Sequence, residues 1–185
     1  MVEELKALPD LLRPGLRLVF VGINPGSYSA RRGHYYAGPG NLFWWALNES
    51  GLVDGPVGPE DDASLPALGI GFTDVVKRPS NSASDLNRQE FKKGAEELLR
   101  KLESYKPRLI CFNGLTGYAH CFGGKVRPGL QKTALGVSRI YVVPSTSRRN
   151  AQYQRDQVLR WFRGLRACLD QLKCAPMTQA DGGGG

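Results

Sequence analysis

Asn24 is the side chain best placed to do chemistry. It lies in Gly22-Ile-Asn-Pro-Gly26, directly behind the apolar run Leu16-Arg-Leu-Val-Phe-Val21. Such a run reads as a buried strand, and in open parallel α/β sheets ligands bind just beyond the carboxyl ends of the strands. Pro25 fixes its own φ and biases Asn24 toward extended backbone, while Gly26 permits close approach or a positive φ. A carboxamide presented there can orient a water molecule, although it is a poor base. An ordinary Asn-Pro-Gly turn has the same composition, and these five residues alone leave both readings open.

A second candidate is Asp74, which follows Gly69-Ile-Gly-Phe-Thr73 at the end of another apolar run. It can act as a base or a charge stabiliser, read an N–H on a ligand, cap a turn, or pair with Lys77 or Arg78. Arg148-Arg149 follows Val143-Pro-Ser-Thr-Ser147 in the same relation to a strand-like run. Tyr36 sits among glycines in Gly33-His-Tyr-Tyr-Ala-Gly-Pro-Gly40.

The elements that must position these residues read as alternating strands and helices. Leu16–Val21, Leu68–Phe72, Leu109–Asn113 and Ile140–Val143 are the strand candidates. Helical patterns between them predict a parallel sheet with crossover helices. The first helix is expected over Asn41–Ser50. Asn87-Arg-Gln-Glu90 has the form of a capping box. Behind it, Phe91, Ala95, Leu98, Leu99 and Leu102 make one apolar face. Val158, Trp161, Phe162, Leu165, Leu169 and Leu172 form a second such stripe, which reads as core. Three stretches read as long loops: Ser27–Gly40, the acidic Asp54–Pro66, taken as a surface excursion, and the basic Lys77–Leu86.

Composition narrows the partners. Lys and Arg outnumber Asp and Glu 25 to 17, a formal charge of +8. That balance favours a polyanion, of which nucleic acid is the commonest, over a merely basic surface. Cys111, Cys121, Cys168 and Cys174 show no CxxC spacing, and His34 and His120 are the only histidines. Grouped soft ligands for zinc or an iron–sulfur cluster are therefore missing, and no metal is expected. No run is long enough to span a bilayer, and the start lacks a signal-peptide pattern. The expectation is a soluble intracellular protein of one domain over residues 1–175, followed by a flexible tail over 176–185.

Gly22–Gly26, Gly33–Trp44, Gly69–Thr73, Phe112-Asn-Gly114 and Val143–Tyr153, in this order, resemble the mismatch-specific uracil/thymine DNA glycosylase family of the uracil-DNA glycosylase superfamily. The resemblance spans roughly residues 16 to 172. It implies one three-layer α/β domain, a four-stranded parallel sheet with helices on both faces, and no metal or cofactor. It also implies a monomer acting on double-stranded DNA with G:U or G:T mispairs, in the cytoplasm or nucleoid of a bacterium or the nucleus of a eukaryote. Asn24 then matches the residue that orients the attacking water, and Tyr36 the platform on which a flipped base stacks. Backbone N–H groups around Ile23 receive charge from the leaving base. Ser29 faces C5 of the base, which favours uracil over thymine. Arg149 matches the wedge that fills the vacated stack, with Arg148, Ser145 and Ser147 at phosphates. Asp74 stands where relatives commonly carry Asn or Lys. The alternatives are a glycosylase broadened by Asp74 toward single-stranded uracil or hypoxanthine, and a module that binds lesions without cleaving.

Overall fold

The computed structural model describes residues 5–150 and 152–174. The segment 176–185, expected to be a flexible tail, lies outside the described residues. Strands β1 (Leu18–Gly22), β2 (Ile70–Asp74) and β3 (Leu109–Asn113) are buried along their whole length. Sequences such as LVFVG and LICFN are apolar on both faces, which suits a parallel strand covered by helices on each side. Two more strands, β4 (Gly129–Leu135) and β5 (Ser138–Val143), complete a sheet in the order β2-β1-β3-β5-β4.

The expected parallel set is present as β2-β1-β3-β5. The difference is β4, an antiparallel edge strand paired to β5. All of its residues are half-buried or exposed, so no apolar run marks it. The second strand also begins two residues later than expected. Gly69 adopts a left-handed φ of 82° and closes a 3-10 helix over Pro59–Leu68, so β2 starts at Ile70 and ends on Asp74. Parallel register sets Gly22 beside Asp74.

Among the described residues, five α-helices surround the sheet: α1 (Ser27–Arg32), α2 (Phe43–Glu49), α3 (Arg88–Tyr105), α4 (Leu115–Phe122) and α5 (Arg155–Cys174). At the start of α3, Asn87 Oδ1 accepts from the N–H groups of Gln89 and Glu90, and the Glu90 carboxylate accepts from Asn87 N–H. That reciprocal cap satisfies donors a helix start leaves unpaired. One core forms where Phe20 and Phe72 meet Phe43 of α2 and Phe162 of α5. The other joins Val19, Val21 and Ile110 to Phe91, Leu98 and Leu102 of α3.

All three expected loops are partly helical, the basic Lys77–Leu86 through a short 3-10 turn over Ala83–Asp85. Ser27–Gly40 contains α1, and the acidic Asp54–Pro66 stretch folds into the 3-10 helix with Asp62 and Leu65 buried. The latter lies on the surface as expected, mostly exposed, but those two residues anchor it to the fold. The helix expected from Asn41 begins at Phe43, whose N–H donates to Asn41 Oδ1 at 3.0 Å.

Candidate active site

A cleft of about 700 Å³ opens at the carboxyl ends of β1, β2 and β3. From β1 the chain goes to β2 on one side, then returns to β3 on the other. This reversal of strand order is where open α/β sheets leave room for ligands. Asn24, Asp74, Tyr36, Ser29, Asn113 and Arg149 all line the cleft.

Asn24 is held by its amide nitrogen. Nδ2 donates to Arg78 O at 2.9 Å and to Ser80 Oγ at 2.8 Å. Ser80 gives its own hydrogen to Ser82 O at 2.6 Å, so Ser80 Oγ is an acceptor toward Asn24. This chain of donors fixes which end of the carboxamide is which. Oδ1 takes no protein hydrogen bond among the described residues and remains a half-buried acceptor on the cleft.

Asp74 closes β2 with its side chain 3% exposed. Its Oδ1 lies against Gly22, where any Cβ would collide with it. Oδ2 is buried with no hydrogen-bond partner among the described residues. Lys77 Nζ stands 3.9 Å from it. Arg78, the other expected partner, pairs instead with Glu90 at 2.5 Å. Burial pushes the Asp74 carboxyl up to about 7, with Lys77 and Lys101 pulling it down and Asp10 pushing it further up. A carboxylate poised near neutrality in a cleft is suited to proton transfer.

Tyr36 has a left-handed φ of 54°, unusual for a bulky residue. Its neighbours hold it there. Tyr35 N–H donates to Asp62 Oδ2 at 2.9 Å, and Trp44 Nε1 donates to Tyr35 O at 3.0 Å. On the other side, Ala37 N–H donates to Ser29 Oγ at 3.0 Å. His34 Nδ1 lies 3.1 Å from Asp62 Oδ1. The Tyr36 ring packs on Phe43, centroids 4.0 Å apart and planes 23° from parallel. Its hydroxyl is buried beside Gly22 and, like Asp74 Oδ2, lacks a partner among the described residues. Ser29 thus anchors the loop that carries Tyr36, a contact its position in the sequence did not announce.

Ile23 lines the cleft beside Asn24. Its carbonyl accepts from Val76 N–H at 2.8 Å, and its side chain packs into the core under α3 and α4.

The rim is the loop after β5. Asn113 clamps it: Nδ2 donates to Thr146 Oγ1 at 2.8 Å and Oδ1 accepts from Thr146 N–H at 3.0 Å. Ser145 Oγ accepts from Ser147 N–H, and Ser147 Oγ from Arg149 N–H, both at 3.3 Å. Among the described residues, neither hydroxyl donates to a partner, which leaves its hydrogen available. The Arg148 stem lies against Gly40 of the Tyr36 loop. Arg149 is exposed at the tip. Further along, the Arg155 guanidinium sits 4.0 Å over the Trp45 ring.

Sequence reasoning missed Asp62 and the network behind Asp74, and it assigned Asn113 no role although Phe112-Asn-Gly114 was part of the resemblance. An Asn ending a buried strand was the available signal for Asn113. Asp62 gave none beyond its place in an acidic run. Among the described residues, no group of three or more His, Cys, Asp or Glu is arranged to hold a metal ion, and no helix is long and apolar enough to cross a membrane.

A mostly parallel α/β sheet with a polar cleft at its switch point and an arginine-bearing rim defines an enzyme-like scaffold, open where such sheets bind their ligands. The chain belongs to the uracil DNA glycosylase superfamily, whose sequence model matches residues 9–169. Members of that superfamily are DNA glycosylases, which hydrolyse the bond between base and sugar. The chain is also similar to the solution NMR structure of a candidate uracil DNA glycosylase from Methanosarcina acetivorans. The two share 23% identity over 91% of this chain and 98% of that one, with a TM-score of 0.58, a likeness of fold.

Proposed function

We propose that this chain is a monofunctional glycosylase that removes uracil, and more slowly thymine or related modified bases, from mispairs with guanine in double-stranded DNA. It acts as a monomer without metal or cofactor. One observation carries the reading. Two buried polar atoms without hydrogen-bond partners among the described residues, Tyr36 Oη and Asp74 Oδ2, belong to residues that line the same cleft as Asn24. Buried polar groups left unpaired in a folded protein call for a ligand or water, and a nucleobase with its attacking water supplies both.

The chemistry follows from the residues. The target base leaves the duplex stack and enters the cleft, where Tyr36 offers an aromatic platform. Asn24 Oδ1 orients a water molecule toward C1′. As the N1–C1′ bond breaks, its electron pair leaves on N1, and the backbone N–H of Ile23 faces the developing negative charge. The water oxygen bonds to C1′ and its proton passes to Asp74, whose negative charge also opposes the cationic sugar. Arg149 fills the vacated stack, and a guanidinium can donate to base edges there. Arg148, Ser145 and Ser147 contact phosphates. Ser29, small and beside the pocket, admits a C5 methyl less readily than a smaller residue does.

The free Oδ2 of Asp74 also suits a second reading, in which it accepts N3–H of the base and broadens the substrate range. A gel assay for alkali-labile sites on a G:U duplex tests the main reading. The expected result is cleavage only after alkali. Binding without abasic sites overturns the reading in favour of a lesion-binding module. Equal rates on single-stranded uracil or hypoxanthine support the second reading.

A further inference from the structure

Lys77 is the cation nearest Asp74, yet its hydrogen bonds go elsewhere. Nζ donates to Asp10 Oδ1 at 2.8 Å and to Tyr35 Oη at 3.2 Å, and stands 3.9 Å from Asp74 Oδ2. Asp10 is a hub. Its Oδ1 also accepts from Thr73 Oγ1 at 2.6 Å, and its Oδ2 is paired with Lys101. These partners arrive from separate elements. Asp10 lies on the N-terminal segment that bridges to β2 through Leu11 and Phe72, Lys101 on α3, and Tyr35 on the loop between α1 and α2. An ammonium tied to two other elements, through an aspartate that a third also holds, is a fixed charge rather than a swinging one.

The charges around Asp74 balance only in one state. Facing it are Lys77 from the turn after β2, Lys101 from α3 and Asp10 from the N-terminal segment. Tyr35 and Tyr36 face it from their loop, and burial keeps both phenols neutral. Two lysines against one aspartate leave a single positive charge, which an ionised Asp74 neutralises. Because Lys77 makes no direct hydrogen bond to Oδ2, the carboxylate is stabilised at a distance while that oxygen stays free.

We propose that Lys77 is a positioning residue: anchored by Asp10 and the Tyr35 hydroxyl, it favours the ionised form of Asp74 against burial while leaving Oδ2 open to take a proton. The inference rests on the reading of Asp74 as the group that receives the proton of the attacking water. It assigns the N-terminal segment a part in catalysis through Asp10, beyond covering the sheet edge.

The test reads Asp74 directly and through turnover. Carboxyl-carbon NMR titrations, assigned with Asp74→Asn, are compared for wild type, Lys77→Met, Lys77→Arg and Asp10→Asn. Single-turnover cleavage of a G:U duplex is measured across pH for the same proteins. A charge at this distance in a partly solvated site is worth roughly 1–3 pH units. Lys77→Met should raise the Asp74 midpoint from about 7 by that amount, and Lys77→Arg should restore it. Asp10→Asn should lower it, because a negative charge goes and Lys77 is released toward Asp74. The acidic limb of the cleavage profile should follow each midpoint, with the high-pH plateau little changed. A lysine that only braces the fold would lower the melting temperature and leave the midpoint in place, and that result overturns the proposal. If the midpoints move as stated while the acidic limb does not, the Lys77 coupling stands and the proton-acceptor reading of Asp74 falls instead.

Discussion

Asp74→Asn should make the protein more stable and less active, with a stability gain that grows with pH. In the folded chain the Asp74 carboxyl is pushed from 3.8 to about 7, chiefly by burial. The folded state therefore binds this proton more tightly than the unfolded state does. The resulting stabilisation is complete below about pH 4 and is lost as pH rises through 7, where the buried carboxylate must ionise. Roughly three pH units at about 1.36 kcal/mol each correspond to about 4 kcal/mol. Asn carries no such loss. The stability difference between variant and wild type should widen in favour of the variant by up to about 4 kcal/mol between pH 4 and pH 8. For a chain of this size that corresponds to roughly 8–16 °C in melting temperature. Urea melts at five pH values on both proteins measure it, and single-turnover cleavage on the same samples should fall on the order of 10²–10⁴-fold. A difference that stays flat from pH 4 to 8 would refute the reasoning. Asp74 would then titrate as an ordinary carboxyl, and its part as a base near neutrality would have no physical ground.

Asn24→Ala should keep DNA binding and lose cleavage on the order of 10²–10⁴-fold. It should also cost about 1–2 kcal/mol, because Arg78 O and Ser80 Oγ lose their donor; near-normal single-turnover rates would remove Asn24 from the reaction. For Arg149→Ala, binding and cleavage on mismatched duplex should weaken more than on single-stranded uracil DNA, where no gap needs filling. Equal losses on both would mark a phosphate contact. In Ser29→Ala the acceptor for Ala37 N–H disappears, so absolute rates should fall for both bases while the thymine-to-uracil ratio rises. An unchanged ratio in that variant would show that Ser29 acts only through the Tyr36 loop.

Much of this arrangement was legible in the chain. LVFVG and LICFN announce doubly covered strands because no polar residue interrupts them, and the Asn87–Glu90 pattern announces the start of α3. The motif order alone groups Asn24, Tyr36 and Arg149, and all three line one cleft. What stayed hidden depends on long-range contact. β4 pairs through its backbone, and its side chains are too mixed to give a period. α4 is short and carries Gly117 within it, so propensity argues against a helix there. Asp62 reads as one more surface acid until the fold brings Tyr35 N–H to it. The Asp10–Lys77–Lys101 network joins residues 67 and 91 positions apart, a distance over which local spacing carries no information.

Gly22 places a condition on how this chain can vary. Its backbone is ordinary strand, so the restriction is one of space: a side chain there would occupy the volume taken by Asp74 Oδ1. Positions 22 and 74 are register partners, and a change at one alters what the other tolerates. A larger residue at 22 becomes acceptable only after 74 has been shortened, whereas 74 can shrink first without a clash. The substitutions therefore have an allowed order. A library randomised at 22 alone should return glycine, while one that varies both positions together should return compensated pairs lacking the carboxylate.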